Sequence, residues 1–222
     1  MHHEDKVGRS PDPFIHEALR IGAIELIPGG RALRSGRQSP YFFNSGLFNT
    51  GHSLKILAHA YASQIHQSFR PEVIFGPAYK GIPLVASVAV VLGNNTEYAF
   101  NRKEAKSHGE KGTIVGAPLA GKKVLILDDV ITTGASSSEA VEVILREGGI
   151  PIGCVIAFDR QEKGSESELS AVQEFEKKHG IPVRAVATLS DLVNYLRTHP
   201  TKNRSELLSL IRAYQHTHCI YQ

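Results

Sequence analysis

Little in this sequence belongs to a disulfide, zinc or membrane protein. Only two of the 222 residues are cysteine, Cys154 and Cys219, and neither has a companion at a C-x-x-C spacing, so both are expected to be reduced thiols of a cytoplasmic protein. Eleven histidines are scattered along the chain, and the pair near its end, His216 and His218, reads as solvated rather than metal-ligating. The longest apolar stretch, 82–92, is broken by Pro83 and Ser87 and is too short to cross a bilayer. No charged-then-apolar leader opens the chain, so neither secretion nor a membrane partner is expected. An excess of one charge is also lacking. Against 25 Lys and Arg stand 22 Asp and Glu, a formal charge of +3 with acids and bases intermixed, which argues against a nucleic-acid partner. There is no internal repeat, no low-complexity linker and no Gly-Lys-Ser/Thr loop of a nucleoside triphosphatase. What remains is 41% hydrophobic residues in a length that suits a single domain over 1–222 with a real core.

The most informative stretch is Val124-Leu125-Ile126-Leu127-Asp128-Asp129-Val130-Ile131-Thr132-Thr133-Gly134-Ala135-Ser136. An apolar run ends in two carboxylates, a hydroxyl- and glycine-rich turn follows, and then helical spacing begins. A buried strand would deliver two acids to a loop that opens onto a helix N-terminus. Backbone amides, hydroxyls and the helix dipole there can receive a phosphate dianion, while the acids accept sugar hydroxyls or a hydrated metal. A plain helix cap is the simpler alternative, but a cap needs one polar side chain rather than two acids and a run of hydroxyls.

Periodicity places this stretch in an alternating pattern. Helices are expected at 12–21, 53–69, 82–92, 136–146, 168–178, 191–197 and 205–214, and strands at 73–75, 97–100, 123–127, 152–158 and 183–187, with short strands within 26–48. The 82–92 helix is so apolar that both of its sides are expected to meet core. Residues 102–122 carry glycines and little periodicity and read as one long loop of the functional kind. Alternating strands and helices imply an α/β fold with a parallel sheet covered on both faces, ligands lying at the carboxyl ends of the strands.

The acid-and-hydroxyl stretch resembles the signature with which type I phosphoribosyltransferases bind 5-phosphoribosyl 1-diphosphate (PRPP). Four further stretches are similar to those of the orotate phosphoribosyltransferases within that family: 35–44 (SGRQSPYFFN), 75–83 (FGPAYKGIP), 100–109 (FNRKEAKSHG) and 158–162 (FDRQE). The resemblance runs from about residue 19 to 195, with the motifs in the family's order. It implies a type I phosphoribosyltransferase-like parallel sheet flanked by helices, with a small N-terminal hood mainly from 1–50 and a mobile catalytic loop at about 102–118. It implies transfer of the phosphoribosyl group of PRPP to orotate, giving orotidine 5′-monophosphate and pyrophosphate in pyrimidine (UMP) synthesis, with Mg²⁺ as cofactor and a homodimer whose loop reaches the partner's site. No fused decarboxylase domain is expected, since the sequence leaves no room for one. Two other readings stay open: a PRPP-binding regulatory protein of the same fold, and a phosphoribosyltransferase for another base.

The resemblance also implies roles. The 5-phosphate falls to Thr132, Thr133, Gly134, Ala135 and Ser136, with Val130 and Ile131 leading into that turn. Asp128 and Asp129 take the ribose hydroxyls and stand near a magnesium held mainly by PRPP and water, since Mg²⁺ sheds its waters reluctantly. The pyrophosphate falls to Tyr79, Lys80, Arg102, Lys103, Lys106 and His108, with Arg34 from the hood, where many bacterial members carry Lys. Lys106 assists pyrophosphate departure, His108 can donate a hydrogen bond to a leaving oxygen, and Lys103 and Lys106 act across the dimer. Orotate falls to Phe42, Phe43, Thr132 and Arg160, the arginine suited to a bidentate carboxylate pair. Side chains alternate along an extended segment, so only one of Phe42 and Phe43 can face the ring.

Overall fold

The computed structural model describes residues 12–33, 36–103, 113–164, 168–199 and 203–220. Its centre is a six-stranded sheet in the order β5-β4-β3-β6-β7-β8, formed by β3 (Val73–Gly76), β4 (Glu97–Asn101), β5 (Ile114–Gly116), β6 (Lys123–Asp128), β7 (Ile150–Asp159) and β8 (Val183–Thr188). All neighbouring strands run parallel except β5, which pairs antiparallel with β4 at the edge. Chain order runs outward in both directions from the β3/β6 pair. The switch point of this open sheet therefore lies between the carboxyl ends of β3 and β6, where such sheets hold ligands. β3 ends at Gly76 and β6 at Asp128, so the turn 76–81 and the paired acids become neighbours.

Strands buried on both faces explain the unbroken apolar runs. Along β6, Leu125 and Leu127 join one core and Val124 and Ile126 the other. The first core packs beneath α1 (Asp12–Arg20), α2 (Gly51–Ser68), α3 (Gly81–Leu92), α6 (Leu189–Thr198) and α7 (Arg204–His218); the second packs beneath α4 (Ala135–Arg146) and α5 (Ala171–His179). Capping boxes fix three helix starts. Thr50 pairs with Ser53, Ser170 with Gln173 and Thr188 with Asp191, each side chain bonding the other's backbone N–H. These caps set α2 to begin earlier, and α5 later, than apolar spacing alone suggests.

The N-terminal hood is an antiparallel hairpin, β1 (Ile24–Ala32) with β2 (Gln38–Phe43), followed by a 3₁₀ turn at Ser45–Leu47. Aromatic packing joins it to the rest. Phe14 stacks on Phe48 (5.7 Å between ring centres), and Phe43 lies over Phe158 of β7 (5.4 Å).

Two expectations need correction. Residues 114–116 are a strand rather than loop, because three residues, two of them half-buried, suffice to pair with Ala99–Asn101 at an open edge. The α3 helix is also not buried all round. Leu84, Val85 and Val88 face the core, but Val90 is 82% exposed, so this position of the helix stands in solvent.

Candidate active site

Asp128 and Asp129 are 4% and 6% exposed at the end of β6, and the structure gives them different tasks. Asp128 is held by its own protein. Its Oδ1 accepts from the Asp129 amide (2.9 Å) and its Oδ2 from the Ser137 hydroxyl (2.9 Å), while Tyr61 donates to its backbone carbonyl (2.7 Å). Asp129 faces other elements. Its Oδ2 accepts both from Lys80 Nζ (2.7 Å), out of the turn after β3, and from Ser45 Oγ (2.7 Å), out of the hood. Three segments far apart in sequence thus converge on one carboxylate oxygen at the switch point.

Burial, and then the charge of Asp129, push the Asp128 carboxyl up to about 6, against the hydrogen bonds from Asp129 N, Ser137 and Ser136. A carboxyl raised by folding binds its proton more tightly in the native state. Stability is therefore greatest below about pH 4 with respect to this group, and declines as pH rises to about 6, by about 3 kcal/mol in all. Asp128→Asn removes the ionisation, since Ser137 can turn its hydroxyl to accept from the new amide. The variant is expected to melt several degrees above wild type at pH 7.5 and to approach it at pH 4.5, measured by calorimetry without ligand. A variant less stable than wild type at pH 7.5 would contradict the strained-carboxyl account.

The turn after the acids is built to leave amides available. Ile131 is buried in the second core and pins the loop; Val130 is half-buried; Thr132, Thr133, Ala135 and Ser136 are exposed. Gly134, at φ +71 in the left-handed region that glycine tolerates best, turns the chain into α4. It offers no side-chain cap, and among the described residues the first amide, Ala135 N–H, makes only a long contact to Thr133 Oγ1 (3.4 Å). A dianion fits an N-terminus left in this state.

The 76–81 turn stands beside it. A Cβ on Gly76 would lie 2.2 Å from the Gly81 carbonyl, so the two backbones touch only because both residues lack side chains. The Ala78–Tyr79 peptide is cis, and the Ala78 amide donates to Asn101 Oδ1 (2.9 Å) at the end of β4. Tyr79 is 69% exposed, with Lys103 Nζ 5.2 Å above its ring. Arg102 is half-buried next to it, its amide bonded to the Thr113 carbonyl (2.7 Å). The structure thus brings Tyr79, Lys80, Arg102 and Lys103 to the same strand ends. Arg34, Lys106 and His108 lie outside the described residues.

Of the two hood phenylalanines, Phe43 is buried between Phe14 and Phe158, which leaves Phe42 on the opposite face, half-buried, with the Arg31 guanidinium 4.0 Å from its ring centre. Arg160 follows β7 and is tucked in. Its guanidinium carbon lies 5.4 Å from the centre of the Tyr41 ring, Nε donates to Tyr41 Oη (3.4 Å), and Nη2 sits 2.6 Å from Glu162 Oε1 without an aligned hydrogen bond.

Sequence reasoning did not single out Ser45, Tyr61, Asn101, Ser137 or Glu162. Ser45 adjoins the 35–44 stretch, Asn101 lies within 100–109 and Glu162 within 158–162, and a search for polar residues in and beside those motifs would have found them. Tyr61 comes from mid-helix and carries no local signal.

Known proteins place this geometry. The family model for the phosphoribosyl transferase domain matches residues 47–188. The orotate phosphoribosyltransferase of Marinobacter nauticus is 54% identical over 191 residues, 84% of this chain and 88% of that one. That of Acinetobacter baumannii is 47% identical over 209 residues, 92% of this chain and 94% of that one. The crystal structure of the orotate phosphoribosyltransferase of Francisella tularensis superposes with a TM-score of 0.81 at 37% identity, covering 93% of this chain and 99% of that one. These matches favour the orotate reading over a regulatory protein or an enzyme for another base. With the family model over residues 47–188, these relatives over most of the chain and a mainly parallel sheet that superposes on theirs, the chain belongs to the phosphoribosyl transferase domain family and, within it, to the orotate phosphoribosyltransferases, which are pentosyltransferase enzymes.

Proposed function

We propose that the site at the β3 and β6 ends binds PRPP and orotate in a Mg²⁺-dependent transfer, with the residues in the roles that follow. The observation that carries this is the meeting of Lys80, Ser45 and Asp129 beside the open 132–136 turn. The turn takes the 5-phosphate. Asp129 exchanges its bonds from Lys80 and Ser45 for bonds from the ribose hydroxyls, which frees the Lys80 ammonium for the pyrophosphate. Asp128 acts from behind, holding the turn through Ser137.

No nucleophilic side chain is needed. The C1–oxygen bond to pyrophosphate breaks, positive charge develops on the ribosyl ring, and N1 of orotate forms the new bond to C1 as its N1–H bond breaks, the proton passing to the released pyrophosphate or to water. Tyr79, Lys80, Arg102 and Lys103, with Arg34, Lys106 and His108, present cations and donors where the leaving pyrophosphate gains charge, which is where fixed electrostatics lower a barrier most. Phe42, the phenylalanine not committed to the core, lies against the base, and Arg160 pairs with its carboxylate.

The donor set fits magnesium only in part. Among the described residues no group of three His, Cys, Asp or Glu forms a metal cage. Two acids whose oxygens already accept protein hydrogen bonds suit an ion held chiefly by substrate phosphates and water. Bound there, Mg²⁺ supplies charge neutralisation at the pyrophosphate.

The chain is also expected to pair as a homodimer, and the exposed Val90 of α3 offers apolar surface for a second copy. Lys103 and Lys106 then serve the neighbouring site. Light scattering is expected to report about twice the chain mass of 24.2 kDa. No described helix is long and apolar enough to cross a membrane, and the cysteine usage suits the cytoplasm.

The test is direct. Orotate absorbance is expected to fall when protein, PRPP and Mg²⁺ are mixed, to stay constant when EDTA replaces Mg²⁺, and to be matched by no turnover of hypoxanthine or uracil. Turnover of either control at a rate equal to that of orotate would overturn the assignment of the base site.

A further inference from the structure

Arg160 is the one described residue with a buried side-chain nitrogen that lacks an aligned hydrogen-bond partner, and the residues around it form a frame drawn from three parts of the chain. Beneath its guanidinium lies Tyr41 of β2, fully buried and set edge-on to both Phe158 and Tyr214. At its end stands Glu162, and that carboxylate is itself fixed. Tyr214 of α7 donates to Glu162 Oε1 (2.7 Å), and Arg37, before β2, places Nη1 3.8 Å from Oε2 while donating to the Lys163 carbonyl (2.8 Å). The backbone is tied down in the same place. Lys163 N–H donates to the His218 carbonyl and Ile220 N–H to the Gln161 carbonyl, both at 2.9 Å, and the Gln161 side chain accepts from Ser190.

A buried ion pair adds little net stability, because desolvation offsets most of the attraction. What a carboxylate held on two sides does well is to fix the plane of a guanidinium. Glu162 and Tyr41 occupy Nη2 and Nε, and among the described residues no acceptor bonds Nη1. That end remains for a ligand carboxylate.

We infer that Glu162, braced by Tyr214 and Arg37, is a positioning residue that orients Arg160 for the carboxylate of orotate, so that α7 helps set specificity for the base. This rests on the reading of Arg160 given above.

The experiment is steady-state kinetics of Arg160→Ala, Glu162→Gln, Tyr214→Phe and the double variant Glu162→Gln/Tyr214→Phe, with each substrate varied in turn. Glu162→Gln keeps the shape and removes the charge. Its KM for orotate is expected to rise roughly tenfold, the worth of one charge-assisted contact, with KM for PRPP and kcat within about twofold. Tyr214→Phe is expected to raise the orotate KM by a smaller factor, and the double variant to be no worse than Glu162→Gln, since both act through one carboxylate. A role confined to folding would move both KM values or neither. Should Glu162→Gln fail to fold, Tyr214→Phe, which deletes one hydroxyl, reads the same chain. An orotate KM raised by Arg160→Ala and unchanged in both Glu162→Gln and Tyr214→Phe would overturn the positioning role alone. An orotate KM unchanged in Arg160→Ala would remove the arginine from the base site and the positioning role with it.

Discussion

Asp129→Asn is expected to lower kcat/KM for PRPP by about a thousandfold, with orotate saturating. Two bonds are lost here, one from each ribose hydroxyl to the carboxylate, each charge-assisted and worth about 1.5–3 kcal/mol, or about ten- to a hundredfold. The bonds from Lys80 and Ser45 to Asp129 belong to the ligand-free protein and are given up on binding, so their loss adds nothing to the effect. The neighbouring acid provides the contrast. Asp128 accepts from the Asp129 amide and from Ser137, bonds that tie the strand end to the turn, so its removal is expected to act through the shape of the turn. A kcat/KM for Asp129→Asn within threefold of wild type would remove the acid from the sugar site.

Lys106→Ala is expected to lower kcat about a hundredfold or more and to leave PRPP binding within a few-fold, because an interaction made only as charge develops on the leaving group contributes to rate and not to ground-state affinity. Lys106 lies outside the described residues, and the role proposed for it rests on its place in the 100–109 stretch, close in sequence to the Arg102 and Lys103 that the structure sets at the strand ends. Single-turnover rates and titration of PRPP separate the two effects. Equal kcat in variant and wild type would refute the role, and a loss confined to PRPP affinity would make Lys106 a binding residue instead.

Much of this was legible along the chain because the local signals agreed. The run 124–127, the two acids and Gly134 each demanded one structure, and together they spelled strand, turn and helix in register. Other features depend on partners the sequence does not place side by side. Nothing in Phe42-Phe43 tells which ring turns inward; that choice is made by Phe14 and Phe158, which close over Phe43. The short strand at 114–116 has too few residues to show a period and exists because the edge of β4 offers bonds. The apolar spacing of α3 records that it is covered, not by what, and Val90 is a position that the described residues leave exposed. The frame of Arg160 is the least legible, since Glu162 becomes a brace only when α7, some fifty residues on, delivers Tyr214.

The account stands or falls on where PRPP sits. A crystal of the protein with PRPP and Mg²⁺, lacking orotate, measures that location directly. The expected map shows the 5-phosphate over the 132–136 turn, the ribose hydroxyls on Asp129, and Lys80 moved from Asp129 to the pyrophosphate. Density for the ligand at another place in the molecule, with the Lys80–Asp129 pair intact, would contradict it.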